Sequence, residues 1–196
     1  MDESLVLDAA NDLAACGRQI DANRSAAREL AARLDEAQLF WRPGRNAWSI
    51  AECFLHMEVT ARLYLDAIDL GIERARARGV TATAPYRHPW LARWFVRSFE
   101  PPPAIRFPAP RPFRPTPPPE PPFAPILDEF LRLGEAIRTR LDAAKGLDLG
   151  RARVVSPASP LIRLSLGLAF SLLAVHERRH LYQATNVTRH PGFPAA

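Results

Sequence analysis

His176-Glu177-Arg178-Arg179-His180 sets two histidines four residues apart near the end of a long apolar run. On a helix, residues i and i+4 lie one above the other on the same face. Two imidazoles at that spacing can hold one metal ion. What such an ion could do depends on a third ligand, and the best candidate is His56, in Trp48-Ser49-Ile50-Ala51-Glu52-Cys53-Phe54-Leu55-His56. Three histidines would leave a divalent ion with a free position for water or substrate, which is the catalytic pattern rather than the closed structural one. An ion of that kind can acidify water for attack on an electrophile, or bind a thiol as thiolate. Hydrogen-bonded core histidines are the alternative reading of the same residues.

Four long amphipathic segments must position these side chains. The first spans 4–34, with Leu13, Gly17, Ile20, Ala27, Leu30, Ala31 and Leu34 at helical spacing. A connection over 35–48 carries Pro43-Gly44 turn chemistry. The second helix is expected from Ile50 to about Arg78. Ser49 and Glu52 form a capping box at its start, and Trp48 can staple onto Cys53. Glu52 therefore has a structural task that competes with any catalytic one. Glu58, Arg62, Asp66 and Asp69 make the polar wedge of this helix, and His56 lies outside it. The third helix begins near Phe123 or Pro125, carries Ile126, Phe130, Leu133, Ile137 and Leu141 as its stripe, and ends at Lys145-Gly146. A connection over 147–160 follows. The fourth helix is expected from Leu161 to Val187, with His176 and His180 sharing a face with Ile162, Ala169, Leu173, Gln183 and Val187.

Residues 79–122 are proline-rich and cannot form regular helix or central strand. The exception is His88 to Phe99, whose Trp90, Leu91, Trp94, Phe95 and Val96 suit a short amphipathic helix sealing one end of the molecule. Four helices with one apolar side each make an all-α, four-helix bundle. The crossover between the second and third helices is long enough to run back along a helix of roughly 40 Å. That permits an up-down-down-up order, with the second and fourth helices antiparallel. His56 follows the Ser49 cap by about as many residues as His180 precedes the end of its helix, so antiparallel packing brings them level.

The chain of 196 residues suits a single domain over 1–196, and 47% apolar residues make it globular. The net charge of +5 comes almost wholly from arginine, Lys145 being the only lysine. Acidic residues are interspersed throughout, so nucleic acid is not the expected partner. Cys16 and Cys53 are too few for a disulfide framework. The acidic N-terminus has no secretory h-region, and Leu164 to Val175 is too short to span a bilayer. A cytoplasmic location without membrane contact is the expectation.

Several motifs together resemble the DinB-like superfamily, specifically its DinB_2 type of metalloenzyme. They are Trp41-Arg42-Pro43, Trp48-Ser49-Ile50-Ala51-Glu52 with His56, Gly146-Leu147-Asp148-Leu149, Ser159-Pro160, the His176–His180 pair with Gln183, and Phe193-Pro194. The resemblance covers nearly the whole chain. It implies an up-down-down-up four-helix bundle and a divalent metal held by His56, His176 and His180. Zinc or nickel is the implied ion, with iron or manganese as alternatives. Relatives are similar to transferases that use low-molecular-weight thiols such as mycothiol or bacillithiol, or to metal-dependent hydrolases and isomerases. The proline-rich 79–122 segment departs from the pattern, and the family's substrates do not carry over.

The leading expectation is a metal-dependent transferase or hydrolase acting on a small molecule. A non-catalytic metal-binding or protein-interaction bundle, such as a homodimer meeting a partner through the Pro/Trp segment, is the alternative. Gln183 and Arg179 are the candidates for roles beside the metal. Gln183 lies one turn beyond His180 and could orient water or substrate, or be a plain polar residue at the helix end. Arg179, between Leu168 and Leu172, could reach an anionic substrate or make a structural ion pair. Glu177 is expected on the solvated surface.

Overall fold

A computed structural model describes residues 12–83, 86–102, 108–115 and 122–195. Helices dominate: α1 Leu13–Ala31, α2 Glu36–Phe40, α3 Ile50–Ala77, α4 Trp90–Arg97, α5 Phe123–Ala143 and α6 Leu166–Val187. A 3-10 turn covers Arg111–Phe113, and a small antiparallel hairpin pairs β1 Arg153–Val155 with β2 Arg163–Ser165. The expected first helix begins in residues that lie outside the described ones, as does the Pro117-Pro118-Pro119 run.

Local chemistry explains most helix starts. Asp12 accepts from the Ala14 amide and caps α1. Ser49 and Glu52 form the anticipated capping box of α3, and Arg42 reinforces it by donating to both Glu52 carboxylate oxygens. The α5 start has Pro122 at its cap and no side-chain cap of its own; instead the Glu36 carboxylate of α2 accepts from the Phe123 amide at 3.0 Å. A carboxylate at a helix N-terminus also complements the helix dipole. The expected plain connection over 35–48 thus contains a short helix whose first residue caps a distant one.

Two expectations fail here. The last helix starts at Leu166, not Leu161, because residues 163–165 pair with 153–155 as a strand, and Ser165 then caps α6 by accepting from Leu168. Ile162 is therefore not on the histidine face; it is exposed. Glu58, placed in the polar wedge of α3, is buried.

The four long helices touch in a ring: α3 packs against α5 and α6, and α1 packs against the same two. Along α3 and α5 the polar contacts ascend in one order, Arg62 with Glu129, Asp69 with Arg140, and Arg76 with the Ala143 carbonyl. Between them runs the stripe Ile126, Phe130, Leu133, Ile137 and Leu141, all buried. Phe54 meets Phe123 and Phe130 edge-on, with ring centroids 5.1 and 5.2 Å apart. Helix α4 forms where one was expected and lies against α6, yet Trp90, Leu91 and Trp94 stay largely exposed. Among the described residues, no helix is long and apolar enough to cross a membrane.

Candidate metal centre

His56 sits in the second turn of α3 because Ser49 fixes where that helix begins. His176 lies midway along α6 and His180 one turn further on, and α3 and α6 pack against one another. The three imidazoles meet: centroids lie 4.9 Å apart for His56 and His176, and 4.5 Å apart for each of the other two pairs. One ring nitrogen from each residue lies within 4.8 Å of the others. His56 Nε2 and His176 Nε2 face each other at 3.1 Å.

The opposite edges of two rings are held. The Phe113 carbonyl can only accept, so His56 Nδ1 donates to it. His180 Nδ1 donates to Gln183 Oε1 at 3.1 Å. With both Nδ1 protons placed outward, the Nε2 lone pairs of His56 and His180 turn inward. Imidazole ligands of metals are held in just this way by carbonyl and amide partners. The 3.1 Å gap is shorter than two imidazole–zinc bonds of about 2.0–2.1 Å laid end to end, so one ion can reach both nitrogens. The donor set and its geometry therefore fit a divalent ion.

Electrostatics point the same way. Burial depresses all three imidazole pKa values; for His176 and His180 the neighbouring imidazoles and Arg179 depress them further, and they fall well below the usual range. Neutral imidazole is the form that binds a metal. The two thiols take no part. Cys16 and Cys53 are fully buried, burial pushes Cys16 up to about 12, and Cys53 is raised as well. Among the described residues no carboxylate or thiol joins the three histidines as a further ligand.

Aromatic residues wall the site. The Trp48 indole, expected to staple onto Cys53, lies 4.8 Å from the His56 ring and 5.8 Å from that of His180, centroid to centroid. The Phe99 ring is 6.4 Å from His176. Phe113 and Phe99 both come from the proline-rich stretch, so that stretch borders the centre.

Of the candidates beside the metal, Gln183 contacts a histidine rather than open space, so its first task is to hold His180. Arg179 is buried, with its guanidinium 5.4 Å from the Phe99 ring centroid and an N–H directed at the Ser98 carbonyl. Glu177 contradicts the expected surface position: it is 3% exposed. Asn23 of α1 donates to it at 3.0 Å and to the Ala174 carbonyl, and burial raises the Glu177 carboxyl to about 7. Helix α6 is enclosed on almost every side, so one turn of helical periodicity does not separate its inside from its outside.

A family model, DinB_2 of the DinB superfamily, matches residues 19–184, which include all three histidines. No curated protein and no solved structure matches the chain.

Proposed function

The chain belongs to the DinB superfamily, and on that membership and its converging imidazoles we propose that it is a metal-dependent enzyme acting on a small electrophile. His56, His176 and His180 are the ligands, and zinc or nickel is the ion. The observation that carries the reading is the gathering of one ring nitrogen from each histidine within 4.8 Å while Nδ1 of His56 and of His180 is engaged behind. Without an ion His176 Nε2–H can donate to His56 Nε2; three buried imidazoles gathered this closely, two of them oriented from behind, also suit a cation between them.

Bound at these nitrogens, a divalent ion supplies Lewis acidity and lowers the pKa of a thiol or water that reaches its open position. The residues do the rest. Phe113 and Gln183 fix ring orientation, and Trp48 and Phe99 keep bulk water from two sides. The reaction class is transfer to a low-molecular-weight thiol, or hydrolysis. We place the chain in a single up-down-down-up bundle with the proline-rich segment as crossover. The parallel order of contacts between α3 and α5 supports this, because only a long connection lets consecutive helices run the same way. A cytoplasmic enzyme fits the thiol chemistry, and a homodimer is compatible with the exposed aromatics of α4.

The test is turnover of a model electrophile with a low-molecular-weight thiol, and of a model ester without it, by untagged zinc- or nickel-loaded protein. The expected result is activity removed by a chelator, restored by metal and lost in His56→Ala. Activity that survives both chelation and His56→Ala would overturn the enzyme reading.

A further inference from the structure

Far from the histidines, five arginines line one hollow of about 260 Å³: Arg74, Arg78, Arg151, Arg153 and Arg163. It lies at the opposite end of α3, Gly71 being roughly 22 Å along the helix from His56 at 1.5 Å per residue. Its construction is legible in the chain. Gly71, Arg74, Ala75 and Arg78 recur at i, i+3, i+4 and i+7, one helix face. The hairpin lies directly against that face at Gly71, where a Cβ would come within 3.0 Å of the Arg153 carbonyl and of Val154 Cγ2. In the hairpin register, Val155 pairs with Arg163 and Arg153 with Ser165, so both strand arginines share one side of the ribbon.

Arginine is abundant throughout this protein, so number alone means little. Elsewhere Arg18, Arg24, Arg33, Arg42, Arg62, Arg132, Arg138, Arg140 and Arg178 each lie within ion-pair distance of a carboxylate. Among the described residues, none of the five arginines of the hollow does. Other arginines, Arg28, Arg45 and Arg97 among them, are also outside any ion pair among the described residues; what marks this group is that five such arginines, from the helix, the loop and the hairpin, line one hollow. Of the carboxylates near them in sequence, Glu73 beside Arg74 is in ion-pair distance of none of the five, and Asp148 accepts from the Gly150 and Arg151 backbone amides. The α3 C-terminal dipole gives Arg74 and Arg78 a structural reason to be there. Arg153 Nη1 donates to the Gly150 carbonyl at 3.0 Å, and the dipole gives no reason for Arg151 and Arg163, which come from the loop and hairpin. All five are exposed, and a multivalent anion seated in the hollow would meet several of them at once.

We propose that this hollow binds a small anion carrying two or more phosphoryl groups. Guanidinium forks match phosphoryl oxygens bidentately, and several forks around one cavity suit a ligand with several adjacent negative charges. The volume admits a compact group rather than a drug-sized molecule.

The experiment is calorimetric titration of the full chain with inorganic pyrophosphate at low salt, for wild type, Arg74→Ala/Arg163→Ala and Arg33→Ala. All three positions are exposed, and Arg33→Ala makes the same kind of charge change away from the hollow. The expected result is binding by wild type, a loss of about tenfold or more in the double variant, and little change in Arg33→Ala. No heat from wild type would overturn the proposal, as would an equal loss in Arg33→Ala. Duplex DNA that binds wild type but not the double variant, and that pyrophosphate does not displace, would also overturn it by making the patch a nucleic-acid surface.

Discussion

His180 Nδ1 and Gln183 Oε1 lie 3.1 Å apart on successive turns of α6, and this contact determines which way the His180 lone pair faces. The residue expected to address substrate instead orients a ligand. Gln183→Leu removes the acceptor and frees the ring. Metal affinity should fall by about 10–100-fold, measured by competition with a chromophoric chelator, while Gln183→Glu should keep the affinity because its carboxylate still accepts from Nδ1.

Burial, then the Glu129 carboxylate, raise the Glu58 carboxyl from 4.5 to about 7, opposed by Arg62. The native state thus holds a proton that the unfolded chain releases. The contribution of Glu58 is at its most favourable below about pH 4.5, decreases as pH rises, and is lost above about 7. Glu58→Gln should match wild type near pH 4 and exceed it near pH 8 by on the order of 1–3 kcal/mol. Urea unfolding of metal-free protein at both pH values checks this; a variant no more stable at pH 8 would show that Glu58 is not strained.

Gly71 lets β1 approach the α3 backbone, with the Arg153 carbonyl 3.0 Å from where a Cβ would sit. Gly71→Val should displace the hairpin and cost about 1–3 kcal/mol by overpacking, read as a lowered urea midpoint. An unchanged midpoint would mean that the hairpin is free to move away from the helix.

The sequence makes the histidine centre legible because its determinants are local. The i, i+4 spacing on α6 and the Ser49–Glu52 box, which fixes where α3 starts, place His56, His176 and His180 together once the helices pack. What it hides depends on neighbours distant in the chain. Glu177 is buried because Asn23, more than a hundred residues earlier, comes to meet it. The His56 acceptor is a backbone carbonyl, and any residue type at position 113 could supply one. The 153–165 hairpin has strands of three residues each, too short to show alternation, so Leu161 and Ile162 read as the start of a helix.

Metal stoichiometry tests the central claim most directly. Untagged wild type and His176→Ala, each equilibrated with zinc and desalted, are compared by elemental analysis. One equivalent in wild type and almost none in the variant is the predicted result, because two remaining imidazoles cannot retain the ion through desalting. Equal metal content in the two proteins would contradict the account.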